Sequence, residues 1–145
     1  MRTIKILFIL FLLGASSVWA GSENWLTDFE KAKAEAASRK VPILVDFAGS
    51  DWCGWCIRLD NEVFSKPEFQ TYAKDNLVLF LADFPSGKEQ TDAVKKQNKA
   101  LAEKYGIEGF PAVRLLDSTG KVLGKTGYKK GGAASYVEHI KTLLN

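Results

Sequence analysis

Cys53 and Cys56 are the chain's only thiols, and a tryptophan precedes each of them in Gly49-Ser50-Asp51-Trp52-Cys53-Gly54-Trp55-Cys56. Side chains three residues apart share a helix face, so Cys56 can reach back to Cys53 and close a small disulfide. A helix beginning at Cys53 would also offer unpaired N–H groups and the positive end of its dipole. Both favour the thiolate, which is the nucleophilic form. The chemistry within reach is thiol–disulfide exchange. A structural bridge and a metal site are the two other uses of such a pair. A bridge across two intervening residues restrains little chain entropy. A metal would need further ligands, and beyond residue 20 the chain has one histidine, His139, no methionine and no other cysteine.

The flanking elements must hold this pair at a strand-to-helix junction. Upstream, Val41 to Phe47 is a short apolar run with β-branched residues and reads as a buried strand, opened by Pro42. Downstream, the helix runs to about Asn61, and Glu62-Val63-Phe64 leads out of it. Thr27 to Glu30 has the form of a capping box with Thr27 as N-cap, which predicts a first helix to about Lys40, with Trp25 packed near its start. Ser65 to Glu68 is a second such box, with Ser65 as N-cap and a helix ending at Asn76. Leu77 to Phe84 reads as a central strand buried on both faces. Pro85-Ser86-Gly87 breaks the pattern, and helix is predicted from about Glu89 to Tyr105, closed by Gly106. A strand over Ala112 to Leu116, a turn at Asp117 to Gly120, a strand over Lys121 to Lys125 and a last helix after Gly131-Gly132 complete the chain. His139 on that helix is expected at the surface. This order predicts a three-layer α/β domain with a mixed central sheet between helices.

The first residues follow another logic. Met1 to Lys5 is short and basic, Ile6 to Leu13 is continuously apolar, and Val18-Trp19-Ala20 places small residues for a cut after Ala20. This is the layout of a secretory signal peptide over residues 1–20, which leaves a domain over 21–145 and predicts an exported, periplasmic or secreted protein. The apolar run is too short for a spanning helix. Net charge is +3 for the whole chain and +1 once Arg2 and Lys5 leave with the signal, which gives no reason to expect nucleic acid or an anionic membrane surface as partner. There is no internal repeat and no low-complexity tract.

The strand Ile43 to Phe47 with its aspartate, the sequence Trp52-Cys53-Gly54-Trp55-Cys56 and the later Gly109-Phe110-Pro111 together resemble the thioredoxin superfamily. The resemblance covers nearly everything after the first two dozen residues. It implies a thioredoxin-like fold and a protein disulfide reductase or isomerase that needs no cofactor and no metal. Cys53 is then the nucleophile and Cys56 the resolver. Asp46 would lie buried beneath Cys56 and move its proton. It stands seven residues before Cys53, one more than in the thioredoxin pattern, and the extra residue falls in Ala48 to Asp51. Pro111 would be cis and face the cysteines, and Gly127 would lie near the active-site surface. Trp52, Gly54, Trp55 and Phe110 would line a groove for an extended protein segment. The implied partners are protein thiols and disulfides and a redox partner, with a membrane electron donor among the candidates; a monomer is expected. Two rival readings are a non-catalytic binding or chaperone module on the same fold and a dedicated reductase in cytochrome maturation. Gly54-Trp55 stands where thioredoxins carry Gly-Pro. The Trp55 N–H and the charge of Arg58, opposed by Asp51, are expected to raise the potential above the roughly −270 mV of thioredoxin.

Overall fold

The computed structural model describes residues 24–145, so the expected signal segment lies outside the described residues. In chain order the elements are β1 (Trp25–Leu26), α1 (Phe29–Arg39), β2 (Ile43–Ala48), α2 (Gly54–Leu59) running into a π-helical turn (Asp60–Phe64), α3 (Pro67–Asn76), β3 (Val78–Asp83), α4 (Asp92–Lys104), β4 (Ala112–Leu116), β5 (Val122–Thr126) and α5 (Gly132–Leu144). The sheet order is β1-β3-β2-β4-β5. β2 pairs parallel with β3 and antiparallel with β4, so the sheet is mixed, as predicted. β2 is buried along its whole length because both faces are covered by helices.

Alternation along β2 decides which layer each residue feeds. Ile43, Val45 and Phe47 point to one face, where Phe29, Ala32 and Ala36 of α1 and Leu101 and Tyr105 close the core. Leu44 points to the other face, under Leu59, Val63, Phe64, Phe69, Tyr136 and Ile140 from α2, the π turn, α3 and α5. Asp46 and Ala48 share that second face by parity, which places a carboxylate beneath α2.

Four local expectations need correcting. The N-cap of α1 is Asp28, whose carboxylate accepts the Lys31 N–H at 3.2 Å; Thr27 does not cap it. Ser65 does not cap α3 either: Lys66 holds that position without a side-chain bond, while Ser65 Oγ turns back to the Asn61 carbonyl at 3.4 Å. Glu62 to Phe64 do not leave the helix but complete a π turn, whose extra residue carries Val63 and Phe64 into the core. α4 begins at Asp92, capped by Thr91, so residues 84–91 remain a loop. Trp25 belongs to an unforeseen two-residue strand paired with β3, and its ring lies 5.2 Å from that of Phe64.

Candidate active site

The chain leaves β2 at Ala48 and turns at Gly49, whose carbonyl accepts the Cys53 N–H at 2.9 Å. Cys53 is therefore the N-cap of α2 with extended backbone, φ −83° and ψ 105°. The Cys53 and Cys56 Cα atoms are 5.2 Å apart and the pair is joined as a disulfide. The Cys56 N–H donates to Cys53 Sγ at 3.2 Å. So the sulfur occupies the place of a capping oxygen, and the backbone donor beside it is that of Cys56 and not that of Trp55. Both cysteines are buried, packed with Ala48 against Leu81 and Phe110.

Trp52 and Trp55 flank the pair and are 52% and 56% exposed, far more than tryptophans serving as core. Trp52 Nε1 donates to the Phe84 carbonyl at 2.7 Å, and its ring meets Phe110 edge-on at 5.9 Å. A Cβ on Gly49 would fall inside the Trp52 indole. Gly49→Ala is therefore expected to expel the indole, break its bond to Phe84 and cost about 1–3 kcal/mol; thermal melting and tryptophan fluorescence read both effects, and an unchanged spectrum would refute the packing argument. On the other side, the Trp55 ring lies 5.0 Å from Tyr128, and the Arg58 guanidinium stacks over both at 5.3 and 5.5 Å. Arg58 also pairs with Glu62, which accepts the Tyr128 hydroxyl at 2.6 Å. The charge of Arg58 is thus committed to this cluster. Asp51 likewise faces away, accepting the Ser86 and Gly87 N–H groups at 2.9 and 2.7 Å, and those bonds lower its pKa.

Asp46 is 7% exposed and its Oδ1 has no hydrogen-bond partner in the protein. It shares the wall of a cleft of about 560 Å3 with Cys56, Asp60, Phe64, Trp25, Leu81 and Lys88. Burial raises its pKa to about 8, with further help from the negative charges of Asp60 and Asp83. Asp60, on the π turn, is itself raised by desolvation. Sequence reasoning missed Asp60, because only the π turn aims it at the cleft. The extra residue of the Ala48-to-Asp51 stretch is absorbed in the turn before Cys53, and Asp46 still reaches the wall that Cys56 lines.

The Phe110–Pro111 peptide bond is cis, as expected. A Cβ on Gly127 would sit 3.2 Å from the Pro111 carbonyl oxygen, so the loop after β5 runs against the proline. The Tyr136 hydroxyl holds that loop by donating to the Gly127 carbonyl at 2.9 Å. His139 is not a free surface residue: it is half-buried, its Nε2 lies 2.8 Å from Thr126 Oγ1, and desolvation lowers its pKa. The structure thus brings Cys53, Cys56, Trp52 and Phe110 together on one surface, with Asp46 behind Cys56 and Gly54 and Trp55 opening the helix.

Comparison with known proteins agrees with this arrangement. The family described as thioredoxin-like matches residues 24–118. Disulfide bond reductase DsbH of Chlamydia pneumoniae is 36% identical over 125 residues, covering 86% of this chain and 75% of that one. Thioredoxin-related protein DsbJ of the same organism is 27% identical over 158 residues, but the chain spans only 45% of its length. A solved structure of a DsbH oxidoreductase superposes with a TM-score of 0.79 at 32% identity, covering 83% of each chain. The oxidised C-terminal domain of DsbD from Neisseria meningitidis, at 20% identity and a TM-score of 0.56, shares the fold. The DsbH proteins are named a disulfide bond reductase and an oxidoreductase, and this chain carries a cysteine pair that closes a disulfide on a mixed sheet flanked by helices; it belongs to the thioredoxin-like family.

Proposed function

We propose that this protein reduces disulfide bonds in protein substrates through Cys53 and Cys56, outside the cytoplasm. The observation that carries the reading is the placement of Cys53 Sγ as the N-cap of α2, receiving the Cys56 N–H. That donor and the helix dipole stabilise a Cys53 thiolate in the reduced protein. The thiolate attacks a substrate disulfide: a Cys53–substrate S–S bond forms, the substrate's own bond breaks, and one substrate thiolate leaves. Cys56 then gives its proton to Asp46, in the fraction of molecules whose carboxyl is ionised, a fraction that grows as pH approaches 8, and attacks Cys53 sulfur. The Cys53–Cys56 disulfide closes, and the second substrate thiolate departs and takes up a proton. The substrate gains two electrons and the cysteine pair loses two; a dithiol redox partner restores them.

Asp46 suits the proton step because its pKa of about 8 lies near that of an ordinary thiol, roughly 8.5, so transfer between them is nearly balanced. Trp52, Trp55 and Phe110 offer half-exposed ring surface to the substrate, and the backbone before Pro111 offers an edge for an extended segment. Similarity to DsbH, a disulfide bond reductase, favours reduction over isomerisation. The exported setting rests on the basic, apolar and small-residue layout of residues 1–20, and mature protein beginning at Gly21 is its test.

Turnover decides the reading. With a dithiol donor, the protein is expected to reduce a protein disulfide catalytically, faster than it reshuffles a scrambled one, and Cys53→Ser is expected to abolish this. Binding of unfolded protein without turnover would sink the proposal in favour of a non-catalytic module. The reduction potential of the pair, measured against a glutathione buffer, then fixes which class of partner can recharge it.

A further inference from the structure

The loop after β3 is fastened to the cysteine turn at three consecutive residues. The Ser50 N–H and hydroxyl donate to the Asp83 carboxylate at 2.9 and 2.6 Å, and Lys88 Nζ donates to Ser50 Oγ at 3.2 Å. The Asp51 carboxylate holds the Ser86 and Gly87 N–H groups, and the Trp52 indole holds the Phe84 carbonyl. Past β3 the Ser86 and Gly87 backbone has no ladder to join, so without Asp51 these donors would lose their partner in the protein. The fastening fixes Phe84. Its ring lies 5.0 Å from Phe110 at an interplanar angle of 31°, and Phe110 in turn touches the cysteine pair and meets Trp52. The result is a three-ring shelf that starts at the disulfide and runs outward, with Trp52 half-exposed and Phe84 and Phe110 partly so.

We propose that Phe84 is a specificity-determining residue: with Trp52 and Phe110 it selects protein disulfides that carry a large apolar side chain beside the attacked cysteine, and Asp51 is the positioning residue that holds it there. The inference rests on the oxidoreductase reading above. Rigid aromatic surface gives contact area with little loss of side-chain freedom, whereas a polar neighbour would give up its hydration for nothing in return. The shelf is continuous with Cys53, so a side chain docked on it brings its own disulfide to the nucleophile.

The test uses two cystine-bridged peptides differing only in leucine or serine next to the attacked cysteine, with bis(2-hydroxyethyl) disulfide as a small substrate. The wild-type protein is expected to favour the leucine peptide by about tenfold in kcat/KM, mainly through KM. Phe84→Ala should bring the ratio close to one without moving the reduction potential, and Phe84→Leu should retain most of it. Asp51→Ala should lower the ratio too, and the double variant should fall no further than Phe84→Ala, because Asp51 acts through Phe84. Equal wild-type rates on the two peptides, or a ratio untouched by Phe84→Ala in a folded variant, would overturn the proposal. Failure of the wild-type protein to reduce any of the three disulfides would instead bring down the oxidoreductase reading, and this inference with it.

Discussion

Asp46→Asn is expected to make the oxidised protein more stable at neutral and mildly alkaline pH, and to slow it as an enzyme. In the unfolded chain this carboxylate titrates near 3.8, whereas in the fold it titrates at about 8. Below pH 4 both states hold the proton and the group costs nothing. Between pH 4 and pH 8 the unfolded chain ionises while the folded protein keeps its proton, so stability falls as pH rises, and it levels off above the folded value. The full penalty is on the order of 6 kcal/mol at about 1.4 kcal/mol per pK unit. Asparagine does not titrate, so the variant should match the wild type near pH 4 and exceed it increasingly up to pH 8. Asp60→Asn should lower the upper edge of this window and shrink the penalty by removing a like charge, leaving the lower edge where it is. Denaturant melts across pH 4–9 give these curves; parallel curves for wild type and Asp46→Asn would mean that Asp46 is not the buried acid described. In stopped-flow exchange, Asp46→Asn should slow closure of the Cys53–Cys56 disulfide more than the first attack on substrate.

Cys56→Ser carries the other large effect. The first attack needs only the Cys53 thiolate, so the variant should still form a mixed disulfide with substrate. Serine oxygen cannot resolve it, so turnover should collapse while covalent complex accumulates one to one. Non-reducing electrophoresis and mass spectrometry detect the adduct. Cys53→Ser should form none, because only Cys53 stands at the N-cap, where the Cys56 N–H reaches its sulfur, while Cys56 lies one turn inside the helix. Adducts through Cys56 in that variant would reverse the assigned roles.

The apolar runs of β2 and β3 were legible because burial on both faces leaves little choice of residue type, and the junction at Cys53 followed from a strand meeting a helix pattern. β1 was not, since two residues cannot express a period, and only pairing with β3 makes Trp25 and Leu26 a strand. The π turn has no signature in composition; it is set by the core's demand for Val63 and Phe64, and it alone brings Asp60 to the cleft. The partners of Asp51 lie 35 and 36 residues away, so its carboxylate read only as a charge opposing Arg58. For Arg58 half of the answer was local, since its ion-pair partner Glu62 stands four residues on, while the Tyr128 ring it stacks over comes from the far end of the chain.

The sheet's two borders bear on how the protein behaves at high concentration. A strand with no neighbour on one side presents a row of free donors and acceptors, and another chain can add to it. Here one border, β1, is only two residues long among the described residues, too short to template a stable addition. The other, β5, breaks its register with β4 between Leu115 and Leu116 and interrupts its apolar start, Val122-Leu123, with Gly124 and Lys125. A growing stack of sheets would have to bury those lysine charges layer upon layer. A surface proposed to receive substrate can thus stay exposed beside the cysteines while these two borders resist strand addition.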